Sequence, residues 1–181
     1  MRLEFIFKAY PTTALYMAHM HADVKNHKRK WKAFLRHSRM SEAEATKVLS
    51  PGTSPTVDFE EMDRRTCHLG STRKWLNKIV IANYLLYAFE EQFRVGNPRT
   101  ALVDESYSVR KELLEMVILH ELSHWKKGGW HGARSYESIL IKRQFERDLY
   151  GHIVNKRWLC PGPGPSDRFL PGDNMLIDDQ F

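Results

Sequence analysis

The sequence predicts a mainly α-helical domain, α+β with a minor sheet. Apolar residues recur at helical spacing over most of the chain, and runs that could be strands are short and few. Glycine and proline cluster between the periodic segments and after Cys160. With 181 residues and 42% apolar content, the chain can bury one substantial core. A single domain is expected over residues 1–160. A Pro/Gly-rich, acidic tail over 161–181 follows it.

Each element has its own signal. Residues Leu3–Lys8 are rich in Phe and Ile and form either a strand or the lead into a helix. Pro11-Thr12 marks a start, and a helix is expected from about Thr13 to Arg36, with Trp31, Phe34 and Leu35 turned to the core. Ser41-Glu42-Ala43-Glu44 has the form of a capping box and opens a short helix to about Leu49. Residues 51–55 are a Pro/Gly loop. Ser71 or Thr72 caps a second long helix, expected to reach Phe93, and Gly96-Asn97-Pro98 ends it. Thr100–Val103 is a short strand. Ser108 caps a helix over about Val109–Lys127, which Gly128-Gly129 stops. A last helix is expected from Ala133 or Arg134 to about Lys156.

Charge and cysteine usage bound the partners. The formal charge is +6, and seven basic residues lie between Asp23 and Arg39. Lys25, Arg29, Lys32 and Arg36 share one helical face there, so nucleic acid is an expected partner of that face. No apolar stretch approaches roughly 20 residues, which excludes a membrane-spanning helix from the reading. The N-terminus lacks an apolar region of signal-peptide length, so a cytoplasmic location is expected. Cys67 and Cys160 stand far apart and are expected to be free thiols.

The chemistry concentrates in His120-Glu121-Leu122-Ser123-His124, inside the apolar run Val117–Trp125. In a helix, residues four apart share a face, so His120 and His124 present two imidazoles to one point. That is ligand spacing for Zn2+. Glu121 is offset from His120 and reaches a water on the metal, the arrangement of general-base hydrolysis. His131 is the expected third ligand, since the glycine pair lets the chain turn back beneath the metal. Glu137, Glu146 and His152 on the following helix are the alternatives. Arg134 and Tyr136 are the expected donors to a tetrahedral oxyanion, by their closeness to His131. The expected function is a zinc-dependent metallopeptidase acting on protein or peptide substrates.

The stretch His120–His124, followed by His131-Gly132 and Tyr136, resembles the SprT-like (Spartan-type) zinc metallopeptidases over about Val109–Leu140. The resemblance implies a zincin-like fold with an active-site helix, zinc on His120, His124 and His131, Glu121 as base, and a DNA-associated context. Metzincins are similar too, with a glycine and a third histidine after the helix at an offset of one residue. The alternatives are a metzincin-like peptidase, an amide hydrolase acting on a cell-wall peptide, and a non-enzymatic nucleic-acid- or protein-binding module with structural zinc.

Overall fold

The computed structural model describes residues 1–95, 105–127, 136–154, 156 and 159–160, with side chains for all of these except 66, 92–95, 105–108, 127 and 136–141. In chain order the elements are α1 (Glu4–Ala9), α2 (Pro11–Asn26), α3 (Lys28–Ser38), α4 (Glu42–Leu49), β1 (Thr56–Glu60), β2 (Gly70–Arg73), β3 (Lys78–Ala82), α5 (Asn83–Val95), α6 (Glu105–Lys127) and α7 (Tyr136–Tyr150). The fold is mainly helical with a small mixed sheet, as expected.

The run from Leu113 to Leu122 offers little polar surface to water, and it becomes the axis of the fold. Leu113, Leu114, Ile118, Leu119 and Leu122 are fully buried. α3, α5, α7 and the strands β2 and β3 pack around this helix. Between them lie Phe34, Phe89, Leu85, Leu86, Ile79 and Ile81, also without exposure.

The sheet has the order β1-β3-β2. β3 runs parallel to β1, from Thr56 opposite Lys78 to Glu60 opposite Ala82. It runs antiparallel to β2, from Gly70 opposite Ile81 to Arg73 opposite Lys78. Ile79 to Ala82 form a continuous buried run, as a central strand covered on both faces requires.

Several expectations are corrected here. Leu3–Lys8, expected as a strand or a lead-in, is itself mostly helix, α1. The helix expected from Thr13 to Arg36 is two, broken at His27, whose backbone is extended (φ −92°, ψ 91°). The His27 ring accepts a hydrogen bond from the Lys30 amide at 3.5 Å, starting α3 afresh. The break lets α3 fold back against α6 and α7. The helix expected from Ser71 to Phe93 is instead β2, a 3-10 turn over Lys74–Leu76, β3 and then α5. The turn closes at Asn77, which adopts a left-handed conformation (φ 51°) that asparagine tolerates. Trp75, at its tip, is 79% exposed. The motif helix starts earlier than expected, at Glu105. The last helix ends at Tyr150, where Gly151 takes a positive φ of 91°. The strand expected at Thr100–Val103, the Gly128-Gly129 stop and the tail lie outside the described residues.

Ser41 and Glu44 form the expected capping box on α4. α2 has no side-chain cap of its own. Glu90 of α5 serves instead, accepting from the Thr12 amide at 3.0 Å, the Thr13 amide at 2.8 Å and the Thr13 hydroxyl at 2.7 Å. Burial pushes the Glu90 carboxyl up, but these hydrogen bonds outweigh it and hold the group below the ordinary glutamate range. Glu90→Ala should therefore cost about 2 kcal/mol. Because the folded carboxyl is the stronger acid, its contribution is present above the ordinary range and lost as pH falls through the folded value. Urea midpoints of wild type and variant, measured from pH 7 down to pH 3, should converge on the acid side.

Cys67 and Cys160 are joined in a disulfide, with Cα atoms 5.4 Å apart, and are not the free thiols expected. After α7 the chain returns towards the 3-10 turn Arg64–Thr66, where the Arg64 Nε donates to the Leu159 carbonyl at 2.8 Å. Glu146, fully buried, fastens this return by accepting from the Val154 amide at 3.0 Å and the Lys156 ammonium at 2.5 Å.

The basic face of α2–α3 is partly engaged. Arg29 donates to the Asp148 and Arg147 carbonyls at 3.0 and 2.7 Å, closing the C-terminal turn of α7. Arg36 pairs with the Asp148 carboxylate. Lys25 and Lys32 are exposed.

Candidate active site

α6 places the expected pair as its periodicity requires. His120 and His124 face each other one turn apart, with Nε2 atoms 2.8 Å from one another and ring planes at 87°. Phe145 of α7 sets its ring edge-on to His120, with centroids 5.6 Å apart, and fixes that side of the pair. Two imidazole nitrogens sharing a tetrahedral zinc at about 2.1 Å each lie about 3.4 Å apart, so a small ring rotation fits this pair to the ion. Two converging imidazole nitrogens with a carboxylate alongside form a donor set suited to zinc.

Glu121 is 7% exposed and lies on the adjoining side of the helix, against β2. Thr72 of β2 places its hydroxyl 2.7 Å from Glu121 Oε2 and 2.9 Å from the Glu121 carbonyl oxygen. Gly70, two residues earlier, passes so close that a Cβ there would lie 2.8 Å from Glu121 Cγ and 2.9 Å from Val117 Cγ1. Only glycine allows this approach without displacing one of them. Burial pushes the Glu121 carboxyl up to about 7, opposed by the Thr72 hydrogen bond and the charge of Lys142. Such a group can take and return a proton near neutrality. Trp125, one residue beyond the motif, donates to Asn77 Oδ1 at 3.1 Å and ties the helix end to the β2–β3 turn.

A cavity of about 180 Å³ opens against this face, bordered by His120, Glu121, Gly70, Cys67 and Lys142. The Cys67–Cys160 bond thus braces one wall of the site. Lys142 of α7 has its pKa lowered to about 8, first by the charge of Lys156 and then by burial, with Glu146 and Glu121 opposing.

The other expected residues divide. His131 and Arg134 lie outside the described residues, as does the side chain of Tyr136 at the start of α7. Of the alternative third ligands, Glu146 is committed to the Val154 amide and Lys156, and His152 bonds Glu112 at 3.1 Å on the surface. Neither joins the histidine pair, and the Glu137 side chain is outside the described set. Glu115, on the same helix, is 1% exposed and accepts from Lys30 at 2.7 Å, Tyr150 at 2.9 Å and Tyr16 at 3.2 Å. Among the described residues, no group of three or more His, Cys, Asp or Glu side chains is arranged to hold a metal. Thr72, Gly70 and Lys142 were not expected at the site. Thr72 read as a helix cap, and nothing local in the sequence marks it as a strand residue facing Glu121.

A family model described as Metallopeptidase toxin 3 matches residues 7–151. This overturns the resemblance to SprT-like peptidases, which rested on a motif region of about a sixth of the chain. The new match spans α2 through α7, including most of the first hundred residues, which lie outside the Val109–Leu140 stretch of that resemblance. Comparison with curated proteins and with solved structures returns no match.

Proposed function

The chain belongs to the Metallopeptidase toxin 3 family, and from that premise we propose that it is a zinc-dependent peptidase with Glu121 as its general base. Family membership supports peptide-bond hydrolysis in general. The zinc and the mechanism are our reading of the site. The observation that carries it is the convergence of His120 and His124 Nε2 atoms beside a buried, oriented glutamate.

His120 and His124 would hold the ion, with His131 proposed as the third ligand. Bound there, zinc supplies a Lewis acid that acidifies water and polarises a carbonyl. The chain's own residues do the rest. Glu121 accepts the proton of the attacking water and hands it to the leaving amine. Thr72 holds Oε2, which leaves Oε1 to face the reacting groups. One hydroxyl proton serves one acceptor at a time. It can donate to the ionised carboxylate, then turn to the main-chain carbonyl and accept from Glu121 once that group carries the proton. β2 is an edge strand of the described sheet, so an extended peptide can pair along its outer side and lie across the site. Arg134 and Tyr136 are proposed as oxyanion donors.

The substrate is a protein or peptide. The Cys67–Cys160 disulfide would persist in an oxidising compartment and be open to reduction in a cytoplasm.

Metal removal tests the reading. Protein stripped with a strong chelator should lose cleavage of an unfolded protein substrate, and one equivalent of zinc should restore it. Undiminished cleavage by the stripped protein would overturn the proposal. Thr72→Val should lower kcat by about tenfold or more with KM little changed, since it removes a hydrogen bond to a charged group. Thr72→Ser should restore most of the loss, as a hydroxyl-specific role demands.

A further inference from the structure

The cavity beside Glu121 has a composition that its volume does not explain. At about 180 Å³ it is smaller than the roughly 300 Å³ of sites that enclose a whole small molecule, and it suits a single side chain. Gly70, Met116 and Val117 give it apolar walls, and His120 and Glu121 form its reactive border. Lys142 places an ammonium in the same wall from a different element, α7. Among the described residues, no hydrogen bond engages that ammonium.

Among the described residues, two carboxylates act on it by charge and neither bonds it. The groups acting on Lys142 are Lys156, Glu146 and Glu121. Glu146 already binds the Val154 amide and Lys156. Glu121 Oε2 is held by Thr72. An ammonium in a cavity wall, with no bonded partner among the described residues, is open to an anionic group that enters the cavity. His68 and Cys67 line the wall as well, and Leu69, Gly70, Met116 and Val117 give it an apolar strip along which the aliphatic stem of an arriving group can lie.

We propose that this cavity is a substrate subsite for an acidic side chain, aspartate or glutamate, with Lys142 as its counter-ion. The proposal rests on the peptidase reading above and names the substrate class of that same site. The bound carboxylate would take hydrogen bonds from the ammonium while its methylene groups lie against Val117 and Met116. A peptide so anchored is fixed in register beside Glu121.

The test compares peptides that differ only by Glu or Gln at one position, in sequences drawn from a quenched-fluorescent library that the zinc-loaded wild type cleaves. Their dissociation constants are read on the zinc-loaded Glu121→Gln protein, which separates binding from turnover. One position should show the Glu peptide bound about tenfold or more tightly, as a charge-assisted hydrogen bond implies, with a matching kcat/KM ratio in wild type. Lys142→Met should bring that ratio towards one, Lys142→Arg should keep it, and Lys142→Glu should turn it towards a Lys peptide. Equal binding of Glu and Gln peptides at every position would overturn the proposal, and the wild-type ratio decides this even where a variant folds poorly. So would a Lys142→Met protein that loses kcat on all peptides alike with the ratio intact, since Lys142 would then act on Glu121 and not on substrate. Failure of the peptidase reading looks different: Glu121→Gln would cleave as well as wild type.

Discussion

Glu121→Gln should lower kcat by about 10²- to 10⁴-fold, the range for loss of a general base. The zinc content should hold, because His120 and His124 keep their positions. The amide is isosteric with the carboxylate, and its oxygen still accepts from Thr72, so the groove keeps its shape. Only proton acceptance is lost. The same change should raise the thermal midpoint of the metal-free protein. A carboxylate 7% exposed is expensive to bury in its charged form, and a neutral amide avoids that cost. Activity and stability should thus move in opposite directions, as they do where a site is built at the expense of the fold. Steady-state kinetics and a melting curve on the same preparation check both signs.

The second large effect concerns stability. Cys67→Ser with Cys160→Ser should lower unfolding free energy by about 4.6 kcal/mol, the chain-entropy expectation for a loop of this length. The bond closes a sequence separation of 93 residues, and cross-links over long loops restrict the unfolded chain most. Urea unfolding of the double variant against the oxidised wild type measures the difference. Cys67 also borders the active-site cavity. The loss should therefore reach activity, with KM rising at temperatures where the variant is still folded.

Legibility in the sequence followed physical rules that can be named. The helix with His120 and His124 was readable because its apolar run is long and its polar exceptions fall at helical spacing. The capping box at Ser41 and Glu44 was readable because it is purely local. The region from Ser71 to Phe93 was not. Ile79–Ala82 is a short apolar run that fits a buried strand and a buried helix alike, and Tyr84 to Phe89 resume it after the single polar residue Asn83. The decisive feature, a left-handed Asn77, is a backbone state and leaves only a faint mark in composition. The break at His27 was hidden for a related reason: strong helix formers flank it, and only packing of α3 on two other helices justifies it. The pairing of Cys67 with Cys160 depends on the chain returning after α7, which no local pattern announces. Thr72 and Lys142 reach Glu121 from elements whose relative placement is tertiary information.

One bond changes what damage to this molecule would look like. The Cys67–Cys160 link turns everything between those positions into a covalent ring, and β2, β3, α5, α6 and α7 all sit within it. A single cut anywhere in the ring, including one the enzyme makes in a second copy of itself, opens the circle without releasing a fragment. The nicked protein would run as one species on a gel until a reductant is added, and only then fall into two pieces. A cut before Cys67 or after Cys160 would shed its piece at once.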